Sequence, residues 1–146
     1  MNGPHPSNPC ACTALRKAAR AAGRIYDDAV VPHGLTTAQF AILRHIARGQ
    51  PLALSRLAEQ LVMDRTSLYR ALAPLEAKDW VTVGPGPGKS RLASLTTKGR
   101  AAITDAEAGW DAVQARLVAA MGETQWIQLQ AALQTVIDFA ETEADR

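Results

Sequence analysis

Seven consecutive residues, Asp64 to Arg70 (DRTSLYR), bring together three hydroxyls and two guanidinium groups. At 3.6 residues per turn, Leu68, Leu72 and Leu75 fall on one side of a helix and Thr66, Arg70, Ala73 and Ala77 on the other, with Ser67 and Tyr69 on the flanks. Such a small, hydroxylated and cationic face suits phosphate oxygens and base edges. Arg70 has the forked geometry that takes both major-groove acceptors of guanine, while Arg65, Thr66, Ser67 and Tyr69 suit phosphate or base contacts. Taken by itself, Arg70 is equally a solvent-facing cation for Glu76. Lys89 and Arg91 end a run of glycine and proline (Gly84 to Gly88), where a slim loop tip can carry two cations into a narrow groove of negative potential. They are equally solubilising charges on an exposed turn.

Thiol chemistry is the second candidate. Cys12 stands near an expected helix start with Arg16 one turn on, which favours its thiolate, and Cys10 is placed to act as resolving thiol after sulfenic acid formation. An inert pair at a frayed helix start fits the same residues. A Cys-x-Cys metal site with His5 or His33 lacks a second ligand cluster, so no metal or cofactor is expected. Paired carboxylates, a Ser/His/Asp set and a phosphate loop are all missing from the pattern, which disfavours an enzyme.

The elements that would position these groups follow from periodicity. Residues 1–10, rich in Pro, Asn and Gly, form an expected flexible tail. A first helix runs from Thr13 towards Pro32, and Thr36 or Thr37 caps a second that carries Phe40, Leu43 and Ile46. Ser55 opens a short helix, and Asp64 caps the next after only a few residues around Met63, the spacing of a helix-turn-helix. Pro74 removes one backbone bond and should bend this last helix, while Asp79 stands at its end where a left-handed turn is needed. Trp80 to Val83 and Leu92 to Leu95 read as strands of a β-hairpin, or wing. Two helices marked by Trp110 and Leu117, then by Trp126, Leu133 and Val136, complete the chain. Their wide apolar stripes have too few partners within one chain, which points to a second copy, although a single-chain bundle stays open.

Residues 1–96 hold twelve Lys or Arg against six Asp or Glu, whereas residues 97–146 hold four against eight. That split fits a basic face meeting a polyanion, or ordinary solvated surface. No stretch has the length of apolar sequence needed to span a membrane, and a cytoplasmic protein is expected.

Four segments resemble the MarR (multiple antibiotic resistance regulator) family over about residues 12–142: Leu35-Thr36-Thr37-Ala38-Gln39-Phe40-Ala41-Ile42-Leu43, Leu54-Ser55-Arg56-Leu57-Ala58-Glu59-Gln60-Leu61, Asp64-Arg65-Thr66-Ser67-Leu68-Tyr69-Arg70, and Leu95-Thr96-Thr97-Lys98-Gly99. The resemblance implies a mainly α homodimer, with residues 35–99 as a winged helix-turn-helix DNA-binding domain and residues 11–34 and 100–146 as the dimerisation region. It implies repression at a palindromic operator, relieved by a small aromatic or phenolic effector, for which Arg20, His33, Phe40 and Trp110 are the candidate pocket. The family's wing carries Asp-x-Arg where this chain has Pro87 and Lys89, which puts the rigidity of the wing in question. Cys12 lies 24 residues before Thr36, the offset of the reactive cysteine in the organic-hydroperoxide-sensing branch, and Tyr26 matches one of that branch's two sensing tyrosines. Arg16 replaces the other.

Overall fold

The first helix, α1 (Ala11–Val30), leaves most of its length exposed and buries only Tyr26 and Val30 near its end. The computed structural model describes residues 10–146, so the expected tail lies outside the described residues except for Cys10. Pro32 has no N–H to continue an α-helix. The chain therefore tightens into one 3-10 turn, Val31–His33, closed by Gly34 in the left-handed region at φ 76°.

Of the two threonines that could start α2 (Thr37–Gly49), Thr36 does so. Its hydroxyl accepts from the Gln39 N–H at 3.1 Å while its own N–H donates to Gln39 Oε1 at 3.0 Å, a reciprocal cap. Phe40, Ile42, Leu43 and Ile46 then face the core. Leu52–Ala53 form β1, which two residues of sequence were too short to announce. Helix α3 (Leu54–Leu61) starts one residue earlier than expected, with Ala53 rather than Ser55 at its boundary. The turn into α4 (Arg65–Ala77) places Val62 at φ 53°.

The sheet is antiparallel, in the order β1-β3-β2, with β2 (Val81–Pro85) and β3 (Arg91–Leu95) as the wing. Val81 pairs with Leu95 and Leu52 with Ala93, so β3 is central, and the Leu95 N–H donates to Gln50 Oε1 at 2.9 Å. Asp79 takes the expected left-handed turn at φ 59°. Helix α4 continues past Pro74 to Ala77. Pro74 is exposed, so the carbonyl it leaves unbonded is on the wet side of the helix.

Helix α5 (Thr97–Met121) begins nearer the wing than its apolar stripe indicated, and α6 (Glu123–Ala144) follows Gly122 at φ 83°. The Thr96 hydroxyl accepts from the Gly99 N–H at 3.0 Å and donates to the Asp79 carbonyl. Gly99 packs against the Trp80 backbone so closely that a Cβ would collide with the Trp80 carbonyl oxygen. The Leu-Thr-Thr-Lys-Gly segment is thus a joint between wing and α5, and its glycine is a steric requirement.

The core lies beneath the helix-turn-helix: Leu35, Phe40, Leu43, Ile46, Leu57, Leu68, Leu72 and Leu75 are almost completely excluded from solvent. In contrast, α6 buries no residue and presents Ile127, Leu129, Leu133, Val136 and Phe139 on its surface.

The left-handed conformation of Val62 gives the first test, because a β-branched residue there is strained by roughly 1–2 kcal/mol while its exposed side chain adds little packing. Val62→Asn is expected to raise stability by about 1 kcal/mol, or about 3 °C in melting temperature for a chain of this size. A fall in melting temperature would show that the turn is not strained.

Candidate nucleic-acid interface

Helix α4 is held in rotation by Leu68, Leu72 and Leu75, all within 1% of full burial, which turns Arg65, Thr66, Tyr69 and Arg70 to solvent. Asp64 starts the helix by accepting from both the Ser67 N–H and the Ser67 hydroxyl, each at 2.8 Å. Those bonds hold the Asp64 carboxyl below the ordinary carboxylate range. They also give Ser67 a role the sequence did not reveal. Its one hydroxyl proton is committed to Asp64, so only its oxygen remains to meet a donor.

The wing closes on this helix. Together, Leu54, Ser55, Arg65, Leu68, Tyr69, Lys89, Ser90 and Arg91 line a notch of about 100 Å³ where the starts of α3 and α4 meet the hairpin. Among the described residues, ion pairs join Arg56 to Glu59, Lys98 to Asp79 and Arg146 to Glu143, and none engages Arg65, Arg70, Lys89 or Arg91. Three cations without an ion-pair partner around one concavity make its potential positive by Coulomb's law. Periodicity had found the cations but not Ser55 or Ser90, whose placement depends on the fold back of the wing.

Without the family's wing aspartate, the loop tip is ordered by other bonds. The Gly86 N–H donates to the Ser90 carbonyl at 2.9 Å, and the Ser90 N–H and hydroxyl both donate to the Pro87 carbonyl, at 3.1 and 2.6 Å. Gly88, at φ 62°, makes the turn between them. Lys89 stands at the tip, and Arg91 opens β3 opposite Pro85.

Of the four residues expected to line an effector pocket, Phe40 and Trp110 pack together while Arg20 and His33 stand at the surface. Trp110 packs between Tyr26 and Phe40, with ring centroids at 4.4 and 4.6 Å, and Phe40 is fully buried core. Arg20 and His33 are exposed, and neither lines the cleft between α1 and α5. An apolar cleft of about 250 Å³ lies instead between α1 and α5, lined by Ala22, Ile25, Tyr26, Val113, Arg116, Leu117 and Ala120. The Tyr26 hydroxyl donates to Gln114 Oε1, and burial pushes its pKa up. The sequence could mark these residues as one helix stripe each, but not the gap between two stripes.

Cys10 and Cys12 are both exposed free thiols. Cys10, rather than Cys12, occupies the N-cap position of α1, where the Thr13 amide and hydroxyl and the Cys12 amide face it and lower its pKa. No group of three His, Cys, Asp or Glu suited to a metal ion occurs among the described residues, and none of their helices is long and apolar enough to cross a membrane.

Comparison with known proteins agrees with this arrangement. Residues 33–92 match the MarR family, the segment from the turn before α2 to the returning wing strand. An HTH-type transcriptional regulator of Bacillus cereus is 38% identical over 69 residues, an alignment covering 47% of this chain and a little under half, 46%, of that relative. The M. tuberculosis transcriptional regulator MosR, solved in complex with DNA, is 35% identical and superposes with a TM-score of 0.83 over 91% of this chain and 97% of its own. CouR from Rhodococcus jostii RHA1, solved bound to p-coumaroyl-CoA, shares the fold at 20% identity and a TM-score of 0.76, over 88% of this chain and 91% of its own.

The Asp64 cap can be tested without a ligand. Because the folded carboxyl titrates below its unfolded value, its contribution is present above the unfolded pKa and disappears as pH falls through the folded one. Asp64→Ala is therefore expected to melt a few degrees below the parent near neutral pH, with the gap closing under acid conditions. A gap independent of pH would rule out the carboxylate as the source.

Proposed function

Since this chain belongs to the MarR family of transcriptional regulators, which are not enzymes, we propose that it acts in the cytoplasm as a homodimeric repressor that binds a palindromic operator through residues 35–99. The observation that carries this reading is the notch between α4 and the wing, where Arg65, Lys89 and Arg91 have no acidic partner. Phosphates of one duplex strand are the matching polyanion. The outward face of α4 then lies in the major groove, with Arg70 on a guanine edge and Thr66 and Tyr69 on base or backbone, while the wing tip follows the adjacent minor groove. Residues 11–34 and 100–146 form the dimerisation region, supported by the unburied apolar face of α6, and two-fold symmetry spaces the recognition helices by one duplex turn.

Salt and mutation separate the roles. In a mobility-shift assay on DNA upstream of the protein's own gene, Arg70→Ala is expected to cost about 1–3 kcal/mol and to relax preference at one position per half-site. Lys89→Ala should weaken all duplexes alike and flatten the log–log salt dependence by about one phosphate contact per protomer. No shift at low salt with any promoter fragment would overturn the proposal.

The effector is proposed as a small aromatic molecule bound in the α1–α5 cleft, whose apolar walls and single cation, Arg116, suit a ring bearing a weakly acidic group.

A second reading, thiol-based peroxide sensing, is favoured by the exposed Cys10 thiol with its lowered pKa. The Cys10 thiolate attacks a hydroperoxide, taking one oxygen as sulfenic acid and releasing alcohol or water. The Cys12 thiol then displaces water to form the disulfide. Cys10 is the N-cap and Cys12 lies in the first turn of α1, so closing that bond requires the helix start to rearrange. Peroxide should reversibly abolish operator binding in the parent but not in Cys10→Ser or Cys12→Ser. Binding that survives oxidation in the parent removes this reading.

A further inference from the structure

Only a short connection, Val31 to Thr36, joins α1 to the helix-turn-helix, and two polar ties fix it. The Asp27 Oδ1 on α1 accepts from the Thr37 N–H at 2.7 Å and from the Thr37 hydroxyl at 2.6 Å. On the far side, the Lys78 ammonium at the end of α4 donates to the Gly34 carbonyl at 2.6 Å and sits 4.5 Å above the Trp80 ring. Leu35, between the two ties, is fully buried.

The Asp27 bonds are not needed to start α2. Thr36 and Gln39 already form a complete reciprocal cap there. What Asp27 adds is a charged acceptor from a different helix, aimed at the positive end of α2. Thr37 has one hydroxyl proton, and the Gly23 carbonyl at 3.4 Å is a poorer acceptor than the carboxylate at 2.6 Å, so the proton goes to Asp27. The other contacts between α1 and α2 or α5 include the packed rings of Tyr26, Trp110 and Phe40, the buried Val30 and the Tyr26–Gln114 hydrogen bond, and none of these holds the start of α2. The Asp27 carboxylate does so with two bonds.

We propose that Asp27 is a positioning residue that fixes the angle between the dimerisation helix and the DNA-binding domain, and so the separation of the two recognition helices that selects operator half-site spacing. This rests on the reading of the two regions given above. Asp27 bonds Thr37 and is not among the residues that line the α4–wing notch.

Two measurements test it. The first is an intrachain distance distribution by electron spin resonance, with labels at Lys17→Cys on α1 and Glu76→Cys on α4 in a Cys10→Ser, Cys12→Ser background, diluted with unlabelled chain so that one chain is read whatever its oligomeric state. A narrow distribution that broadens in Asp27→Ala but stays as narrow as the parent's in Thr37→Ser, which keeps both donors, is the expected result. An unchanged distribution in Asp27→Ala overturns the proposal, and Thr37→Val serves in the same way if Asp27→Ala does not fold. The second is affinity for operators whose half-sites are moved by one or two base pairs. Asp27→Ala should lose about tenfold in preference for the native spacing while keeping the salt slope of the parent, as expected for one charge-assisted tie rather than a phosphate contact. Equal loss on all spacings would show that Asp27 does not set half-site separation and overturn the assignment. A parent that binds no duplex would refute the regulator reading, while the distance measurement would still decide the role of Asp27.

Discussion

The rotational setting of α4 is the constraint from which the rest of the interface follows. Leu68, Leu72 and Leu75 are buried among residues of α2, α3 and the sheet, and burying three such side chains contributes several kcal/mol against any other rotation. A helix turned by 100° would bury Tyr69 and expose Leu68, with loss on both counts. The polar face of α4 therefore looks outward because its apolar face cannot, and the Asp64–Ser67 bonds trim the helix start to the same setting.

A second layer of constraint fixes what lies on either side of that helix. At its end, Asp79 turns through a left-handed conformation, Thr96 caps α5 while bonding back to Asp79, and the bare Cα of Gly99 lets α5 rest on the Trp80 backbone. These contacts join the wing to α5 within a few residues, so the wing is not a free flap. Its own tip is closed by the Ser90 and Gly86 bonds. The cost of such close contact is intolerance: Gly99 has no room for a methyl group.

Much of this was legible in the sequence because it is local or periodic. The leucine stripe of α4, the Asp64 cap, the capping residue of α2 within one position, the hairpin and the breaks at Pro32 and Gly122 each rest on a few neighbouring residues. What escaped depends on contacts between distant segments. The strand Leu52–Ala53 exists only because β3 lies beside it. The notch needs Ser55 and Ser90 brought together from different elements. Arg20 and His33 had the chemistry for a ligand pocket, yet the rings of Tyr26, Phe40 and Trp110 pack into one another while Arg20 and His33 stand at the surface. Among the thiols, spacing singled out Cys12, whereas the helix boundary, which spacing locates only to within a residue or two, puts Cys10 at the N-cap position.

Trp110 touches Tyr26 of α1 on one side and Phe40 of α2 on the other. An indole wedged between two helices that leave the same linker in different directions is a built-in optical gauge. Its emission depends on how near those rings stand and how much water reaches them, so a change in the attitude of one helix to the other alters intrinsic fluorescence with no attached dye. Trp80 and Trp126, the chain's other two indoles, lie beside the wing and on the last helix, so single replacements of them would isolate the signal from Trp110.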